Sequence, residues 1–567
     1  MSTGSSKSIR SRRTRTAKGR TGHRGRPKVP SPPLPAKPEP LDRWWKFVSI
    51  GVILVAAWLR LYNLDLVPLH HDEGVNGNFL AQLVRQGFYK YDPENYHGPT
   101  LYYFSAIFPW IIKFLFGAEA ANHFGLTTVT IRVVTALFGL ATVALILTLR
   151  RQLGTFGTLA GAALLALSPG AVYLSRYFIH ETLFVFFALG IVIACLRFYE
   201  EAHPIYLVVA AASQALLFAT KETVIINVPV LLIALFVTRA YFRLTSKKAR
   251  SIWTSLKQRL GNNSRLVAWG GLALTVFIVV SVLFYSSFLT NFPKGVYDSL
   301  KTFQVWAKTG QTAHVHPWWK YLEWLMLQES QLLLLGVLGA VLAVLTRRST
   351  FALFSALWAF GTVAAYSLIP YKTPWLTLNF IVPLALISGY SLQAIFEYLG
   401  RELRVVLGIL LVLLALGLYQ SIDLNFFNYD NDQKTIDLKL EKEPLRFQYY
   451  LYVYAHTRRE TLKLVDEIER IASSSGEGKD IGVTIVSPDY WPLPWYLRNF
   501  KRVGYFGRMT TSNEPLVVAS EAQRAETRAQ FGDRYRQLES GLNPAGSFAL
   551  RPGVELLLFV RSDVQLR

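Results

Sequence analysis

Between about residues 46 and 422 the chain returns repeatedly to apolar stretches of roughly 18 to 22 residues, the length at which an α-helix crosses a hydrocarbon layer of about 30 Å. Hydrocarbon offers no partner for backbone N–H and C=O groups, so such segments are confined to helices that bond internally. Eleven spans are expected, near 46–66, 132–149, 155–174, 182–199, 205–220, 224–239, 266–286, 325–345, 350–370, 376–397 and 405–422. "LYYFSAIFPWIIKFLFG" at 101–117 is also apolar, but it is short and contains Pro109 and Lys113, which suits a helix lying in the headgroup boundary. With 51% of its 567 residues apolar, the chain reads as a polytopic α-helical membrane protein. Beyond Ile422 the pattern changes. "TRRETLKLVDEIERIASSSG" has helical periodicity, whereas "IGVTIVSP", "PLVVAS" and "VELLLFVR" suit short strands, so residues 423–567 are expected to form a soluble α/β domain.

The formal charge of +23 raises the question of a nucleic-acid partner, and its distribution answers it. Residues 1–45 carry a net +10 and the stretch from Arg239 to Arg265 a net +8. Basic clusters beside membrane helices mark the cytoplasmic side because they resist translocation. No nucleic acid is needed to explain them. Residues 1–45 read as a disordered cytoplasmic tail without the short apolar core of a signal peptide. Cys195 is the only cysteine, so no disulfide framework is expected.

With the tail inside, eleven crossings place Arg150, Arg151, Arg197, Arg347, Arg348, Arg401 and Arg404 inside as well. The transmembrane domain is then 46–422, and the first loop (67–131) and the domain from 423 onward lie on the outer face of the plasma membrane. In that topology "HHDE" at 70–73, "SRYFIHE" at 175–181, "TKET" at 220–223 and "PYKTPW" at 370–375 all meet one membrane boundary. Charged groups there are costly unless paired or wet, so their convergence suggests a functional cleft. A carboxylate beside fixed cations suits transfer of a group away from a phosphate: the acid takes the acceptor's proton and the cations stabilise the leaving phosphate. Plainer roles stand beside these. Asp72 suits the first turn of a helix, Arg176 and Glu181 suit a structural ion pair, and Lys221 and Lys372 suit snorkelling. His70, His71 and His97 with Asp72 raise a divalent metal as an optional cofactor, although consecutive side chains diverge on any helix or strand. "VWAKTGQTAHVHPWWKYLEW" at 305–324 suits an interfacial anchor, with a substrate lid as the alternative.

Together these stretches resemble the GT-C membrane glycosyltransferases of the protein-mannosyltransferase and aminoarabinose-transferase type. The likeness rests on the "DE" of the first loop, on "YHGPTLYYFSAIFPWIIKFLFG" as a juxtamembrane segment, on "IRVVTALFG" and on "SRYFIHETLFVFFALG". "YHGP", "YKTPW" and "DYWPLPWYLRNF" are most similar to the flippase-activity-associated proteins of archaeal N-glycosylation and their bacterial relatives. The resemblance implies a GT-C fold with about 11 transmembrane helices. It also implies an inverting transferase that moves a sugar from a polyprenyl-phosphate donor to a glycan, lipid or protein acceptor on the outer face, with no cofactor required. Asp72 becomes the base and Glu73 its neighbour. Arg132, Arg176, Glu181, Lys221, Lys372, His97 and Trp375 become candidates for the phosphate and sugar cavity. Two departures stand out: His180-Glu181 occupies a place where many relatives have an aspartate, and "TKET" replaces the more usual lysine-glycine-proline. The alternative is a non-catalytic or flippase-associated protein that binds or moves lipid-linked glycans. A secondary transporter would show paired inverted repeats, which the sequence does not display.

Overall fold

The computed structural model describes residues 42–94, 97–245, 263–308, 314–399, 402–431, 435–438, 445–448, 451–538 and 546–564. The basic tail and the middle of the second basic stretch lie outside these residues. Among the described residues, eight helices are long and apolar enough to cross a membrane, or ten if each of two bent pairs counts as one span. Together with a small C-terminal sheet domain they make the polytopic helical architecture expected above.

The bent pairs have local causes. Thr155–Leu167 and Pro169–Ser175 meet at 59°, because Pro169 cannot continue the hydrogen-bond ladder and the Ser168 hydroxyl caps the new helix at the Ala171 N–H. Lys320–Gln328 and Ser330–Thr346 meet at 111°, so the expected span 325–345 begins only at Ser330. The expected 205–220 span is the Pro204–Phe218 helix, only 15 residues, or about 22 Å by its rise. A count of eleven crossings rests on that short helix.

The first loop is itself helical. α1 (Trp45–Leu61) hands over to α2 (His71–Gln86) and α3 (Thr100–Phe116). α3 is a shorter apolar helix of 17 residues with Pro109 inside it, and Ile107, Phe108, Ile111, Phe114 and Phe116 on it are exposed. α2 starts with a capping box: the His70 ring accepts from the Asp72 N–H, and Glu73 reaches back to the His70 N–H at 2.9 Å. It ends at Gly87, whose φ of +83° an L side chain rarely adopts.

After the last apolar helix come a hairpin of β1 (Thr435–Leu438) and β2 (Leu445–Gln448) and then a six-stranded sheet. Its strands are β3 (Gly482–Ile485), β4 (Arg502–Tyr505), β5 (Leu516–Ser520), β6 (Tyr535–Gln537), β7 (Phe548–Arg551) and β8 (Val554–Arg561). The order is β4-β3-β5-β8-β6, with β7 also on β8. β3 runs parallel to both β4 and β5, and the others join antiparallel. Leu556, Leu558 and Val560 of β8 enter one apolar cluster while Leu557 and Phe559 enter another, which explains the unbroken apolar run "LLLFV". The Glu460–Ser474 helix covers one face with Leu464, Ile468 and Ile471.

The loop that follows β3 seats this domain on α2. At Gly74 an added Cβ would lie 2.6 Å from the Pro492 Cβ, and at Gly77 one would lie 2.6 Å from the Trp495 ring. The Tyr496 hydroxyl accepts from the Leu69 N–H at 2.9 Å, and Arg498 donates to the Leu126 carbonyl. The glycines of "HHDEGVNG" are therefore contact points at which two parts of the chain approach backbone to ring.

Candidate active site

Asp72 and Glu73 are adjacent in sequence and separate in duty. Glu73 is fully buried, with Oε1 taking the Arg132 Nε–H and the Phe178 N–H at 2.7 Å each, and Oε2 taking the Arg132 Nη2–H at 2.5 Å and the His70 N–H at 2.9 Å. Arg132 spends its remaining donors on the carbonyls of Leu64 (2.7 Å), Val67 (2.8 Å) and Pro68 (3.3 Å). Arg176 donates to the carbonyls of Leu59, Tyr62 and Asn63 and lies over the Phe426 ring at 4.7 Å. Both guanidiniums thus clamp the turn from α1 into α2. They line one small cavity with Leu64, Val67, Tyr173, Tyr177 and Asn425.

The Asp72 carboxylate stays partly open, its side chain 25% exposed, with the His70 Nδ1 4.0 Å away. Around it the first loop, the 370–375 loop and the 451–456 segment converge. The His70 ring meets Tyr177, His456 and Trp375 at centroid distances of 5.6, 6.1 and 6.2 Å, and Trp375 meets Tyr454 at 6.2 Å. Tyr454 bonds His314 Nδ1 at 2.9 Å. Burial pushes the Tyr371 phenol above its ordinary range, and the negative charge of Asp72 adds to the shift, followed by Glu181 and Glu222. These carboxylates therefore share one neighbourhood. His70 Nδ1 is an acceptor, so its proton sits on Nε2, and that buried atom has no partner among the described residues; the same holds for His456 Nε2.

Of the other candidates, Lys221 pairs with Glu181, and both are buried. The pairing of Arg176 with Glu181 does not form: each has taken another partner. Burial alone would lower the Lys221 ammonium, but Glu181 and Glu222 together outweigh it and the net shift is upward. His97 bonds Glu222 at 2.9 Å and stacks on Trp306 at 4.9 Å. The His97–Thr100 stretch is fastened to the turn before Lys221 by Gly98 N–H to the Thr220 carbonyl (3.1 Å), Thr100 N–H to the Ala219 carbonyl (3.2 Å) and a Thr100–Thr220 hydroxyl pair at 2.7 Å. "YHGP" and "TKET" are thereby one structural unit. Lys372 is 1% exposed; its ammonium donates to the Ser367 and Ile369 carbonyls and lies 5.5 Å from the Tyr321 ring centre. It has no acid within ion-pair range among the described residues, and burial lowers its ordinary basicity.

A grouping of His70, His71, His97 and Asp72 around one metal does not assemble, since His97 is held by Glu222 and His71 faces the Trp491 ring at 6.0 Å. Among the described residues, no cluster of three or more His, Cys, Asp or Glu has metal-holding geometry. Sequence reasoning passed over Glu222, Tyr371, Tyr454 and His456. It also passed over Glu329, which accepts from the Ser168 hydroxyl (2.9 Å) and the Gly170 N–H (2.8 Å) where both bent helix pairs meet. The signal for several of these was present in the tyrosine-rich "YYLYVYAH" that follows the last apolar run.

The apolar helices and the docked sheet domain make a polytopic helical architecture with a polar cluster between its two parts. Residues 105–256 match the family model described as dolichyl-phosphate-mannose-protein mannosyltransferase. Among solved structures, the chain is similar to ArnT from Cupriavidus metallidurans bound to undecaprenyl phosphate (14% identity, 91% of this chain and 98% of that chain, TM-score 0.57). It is similar to the same protein in the apo state (14%, the same coverage, TM-score 0.58). It is also similar to the oligosaccharyltransferase AglB from Archaeoglobus fulgidus in complex with an inhibitory peptide and a dolichol-phosphate (13% identity, 90% and 74%, TM-score 0.50). No curated protein matches the chain. The resemblance read from the sequence holds at the level of fold: the architecture is that of the GT-C membrane glycosyltransferases.

Proposed function

We propose that the protein is an inverting glycosyltransferase that takes a sugar from a polyprenyl-phosphate donor and passes it to an acceptor hydroxyl on the outer face of the plasma membrane. The observation that supports this reading most is a partly open carboxylate, Asp72, close to a loop that carries a buried lysine with no acidic partner among the described residues. A buried unpaired cation is expensive, and an anionic ligand relieves the cost. Fold neighbours holding undecaprenyl phosphate or dolichol-phosphate make a lipid phosphate the natural anion.

In this reading the Asp72 carboxylate accepts the proton of the acceptor hydroxyl as its oxygen bonds to the anomeric carbon from the face opposite the leaving group. The anomeric C–O bond breaks, and its electron pair departs with the polyprenyl phosphate. Lys372 and Arg176, neither offset by an acid in its own contacts, stabilise that growing negative charge. Glu73, Arg132, Glu181 and Lys221 are positioning residues: they fix the turns that carry Asp72 and the cations. No step is assigned to a metal. In this reading the N-terminus lies inside and the sheet domain outside, the orientation that the charge asymmetry favours.

The test is transfer by the purified chain in lipid nanodiscs, with polyprenyl-phosphate-linked sugars as donors. Transfer that Asp72→Asn removes supports the reading. Absence of transfer from every donor, or transfer unchanged in Asp72→Asn, refutes it. In that case movement of the lipid across the bilayer, equally unchanged by Asp72→Asn, favours a lipid-binding or translocating role.

A further inference from the structure

The motif "SPDYWPLPWYLRNF" docks the sheet domain, yet two of its rings are not wholly covered by that docking. Trp495 and Pro492 are buried against α2, and the Trp491 ring also reaches Gly74 of α2, but Trp491 and its neighbour Tyr490 keep part of their rings in solvent. These rings continue a line that starts beside Asp72. His71 lies 6.0 Å from Trp491, Trp491 lies 5.9 Å from Tyr490, and Tyr490 lies 5.4 Å from Tyr505, with interplanar angles of 52°, 32° and 38°. Phe506, the next residue after Tyr505, is 51% exposed. The stack packs on the sheet core along one side and is a ridge with an accessible side along the other.

Its place in the sheet adds a second argument. Tyr490 and Trp491 belong to the segment that leaves the carboxyl end of β3, and Tyr505 is the last residue of β4, in register with Ile485. β4, β3 and β5 run parallel, so the carboxyl ends of all three open on the side of the sheet where the ridge lies. Here that edge is turned toward the helix that carries Asp72. One charged pair flanks the ridge: Arg551 at the end of β7 bonds Asp489, whose side chain is 43% exposed. Both groups act electrically on His71, so the pair lies near the Asp72 end of the line, and Arg508 is exposed beyond Phe506.

We infer that this ridge is an acceptor subsite for a saccharide, with sugar rings lying on Trp491 and Tyr490 and their hydroxyls meeting Asp489 and Arg551. The chemistry of the surface selects that class. A pyranose has an apolar C–H face that suits an aromatic plane and a rim of hydroxyls that suits a carboxylate and a guanidinium, which both accept and donate. An acyl chain would leave the charged pair unused. The inference rests on the transferase reading for its direction, since a glycan held on the ridge extends its end toward Asp72.

The test uses the full chain in nanodiscs, applied to a printed array of mono- and oligosaccharides covering hexoses, hexosamines, pentoses and uronic acids, with a peptide array alongside. Binding to at least one saccharide is expected, weakened about tenfold by Tyr490→Ala and by Arg551→Gln and kept by Tyr490→Phe. Matched thermal midpoints for the variants show that the domain is still seated. No saccharide bound, binding indifferent to both Tyr490→Ala and Arg551→Gln, or selection of peptides alone overturns the subsite. The two readings fail separately. Transfer without saccharide binding on the ridge removes the subsite and leaves the enzyme, whereas ridge binding without transfer does the reverse.

Discussion

Asp72 and Glu73 give the clearest comparison in the molecule, because one peptide bond separates a carboxylate that is fully spoken for from one that is not. On α2 successive side chains point about 100° apart. Glu73 therefore turns inward to Arg132 and the backbone of Phe178, while Asp72 turns toward the convergence of the 370–375 and 451–456 segments. The inward region has its acid and its guanidinium donors saturated by protein. The outward region keeps a partly exposed acid, a buried lysine without an acid, and imidazole Nε2 atoms without partners. Saturation marks a brace and incompleteness marks a site, since buried polar groups are left unpaired at a cost that function must justify.

The comparison breaks most sharply at Asp72. Asp72→Asn preserves the backbone cap of α2 and its near-isosteric shape, so the protein should fold while transfer falls by about 10²- to 10⁴-fold, the usual contribution of a general base. Initial rates in nanodiscs with matched thermal midpoints check it. A loss of stability equal to the loss of rate would put Asp72 with the brace instead.

Glu73→Gln should do the opposite. It leaves Arg132 buried without a counter-charge, and removing one partner of a buried pair costs about 3–5 kcal/mol. The expected outcome is a large drop in unfolding midpoint and in recoverable protein, with any folded fraction retaining donor binding. Folded protein of normal stability that no longer binds donor would move Glu73 into the site.

Gly77→Ala probes the seam between α2 and the sheet domain. The new methyl meets the Trp495 ring at 2.6 Å, and overpacking of this kind costs about 1–3 kcal/mol. Limited proteolysis should show the C-terminal domain released more readily while the helical part remains intact. Equal protection of both parts would mean that the seam absorbs the methyl.

Much of this was legible in advance because bilayer thickness dictates the length of an apolar run. The approximate places of the apolar helices and the change to strands after Ile422 follow from run length and periodicity. The bend at Ser168–Pro169 was signalled by proline, whereas the turn at Glu329 had no local mark, because Lys320–Gln328 and Ser330–Thr346 differ in direction and only slightly in composition. In the site, Asp72 could be singled out as an acid at a helix boundary. The partners could not: Arg132 to Glu73, Lys221 to Glu181 and His97 to Glu222 join residues far apart in sequence, and no spacing rule connects them. His456 escaped notice for the same reason, since only folding brings it against Tyr173, Tyr177 and His70.

His456 yields the smallest effect and a way to sharpen the contrast by pH alone. Burial holds its imidazole well below the ordinary value, and His70, Arg132 and Arg458 reinforce the shift; His180 is lowered likewise by burial, His97 and Lys221. An unfolded chain protonates its histidines near pH 6.5. With the folded value depressed, the neutral ring contributes stability that is complete above about pH 6.5 and is lost as the pH falls toward the folded value, at no more than about 1.4 kcal/mol per unit for each ring. Glu222 is also depressed overall, because His97 and Lys221 together outweigh its burial, but its contribution disappears only below the ordinary carboxylate range, near pH 4.3. Unfolding midpoints measured between pH 8 and pH 5 should therefore be flat at first and then decline below about pH 6.5, with a shallower decline in His456→Gln. A wild-type profile flat through pH 5, or an identical slope in His456→Gln, would show that this ring titrates in the folded protein as it does in the open chain, and that the outward region is wetter than its packing implies.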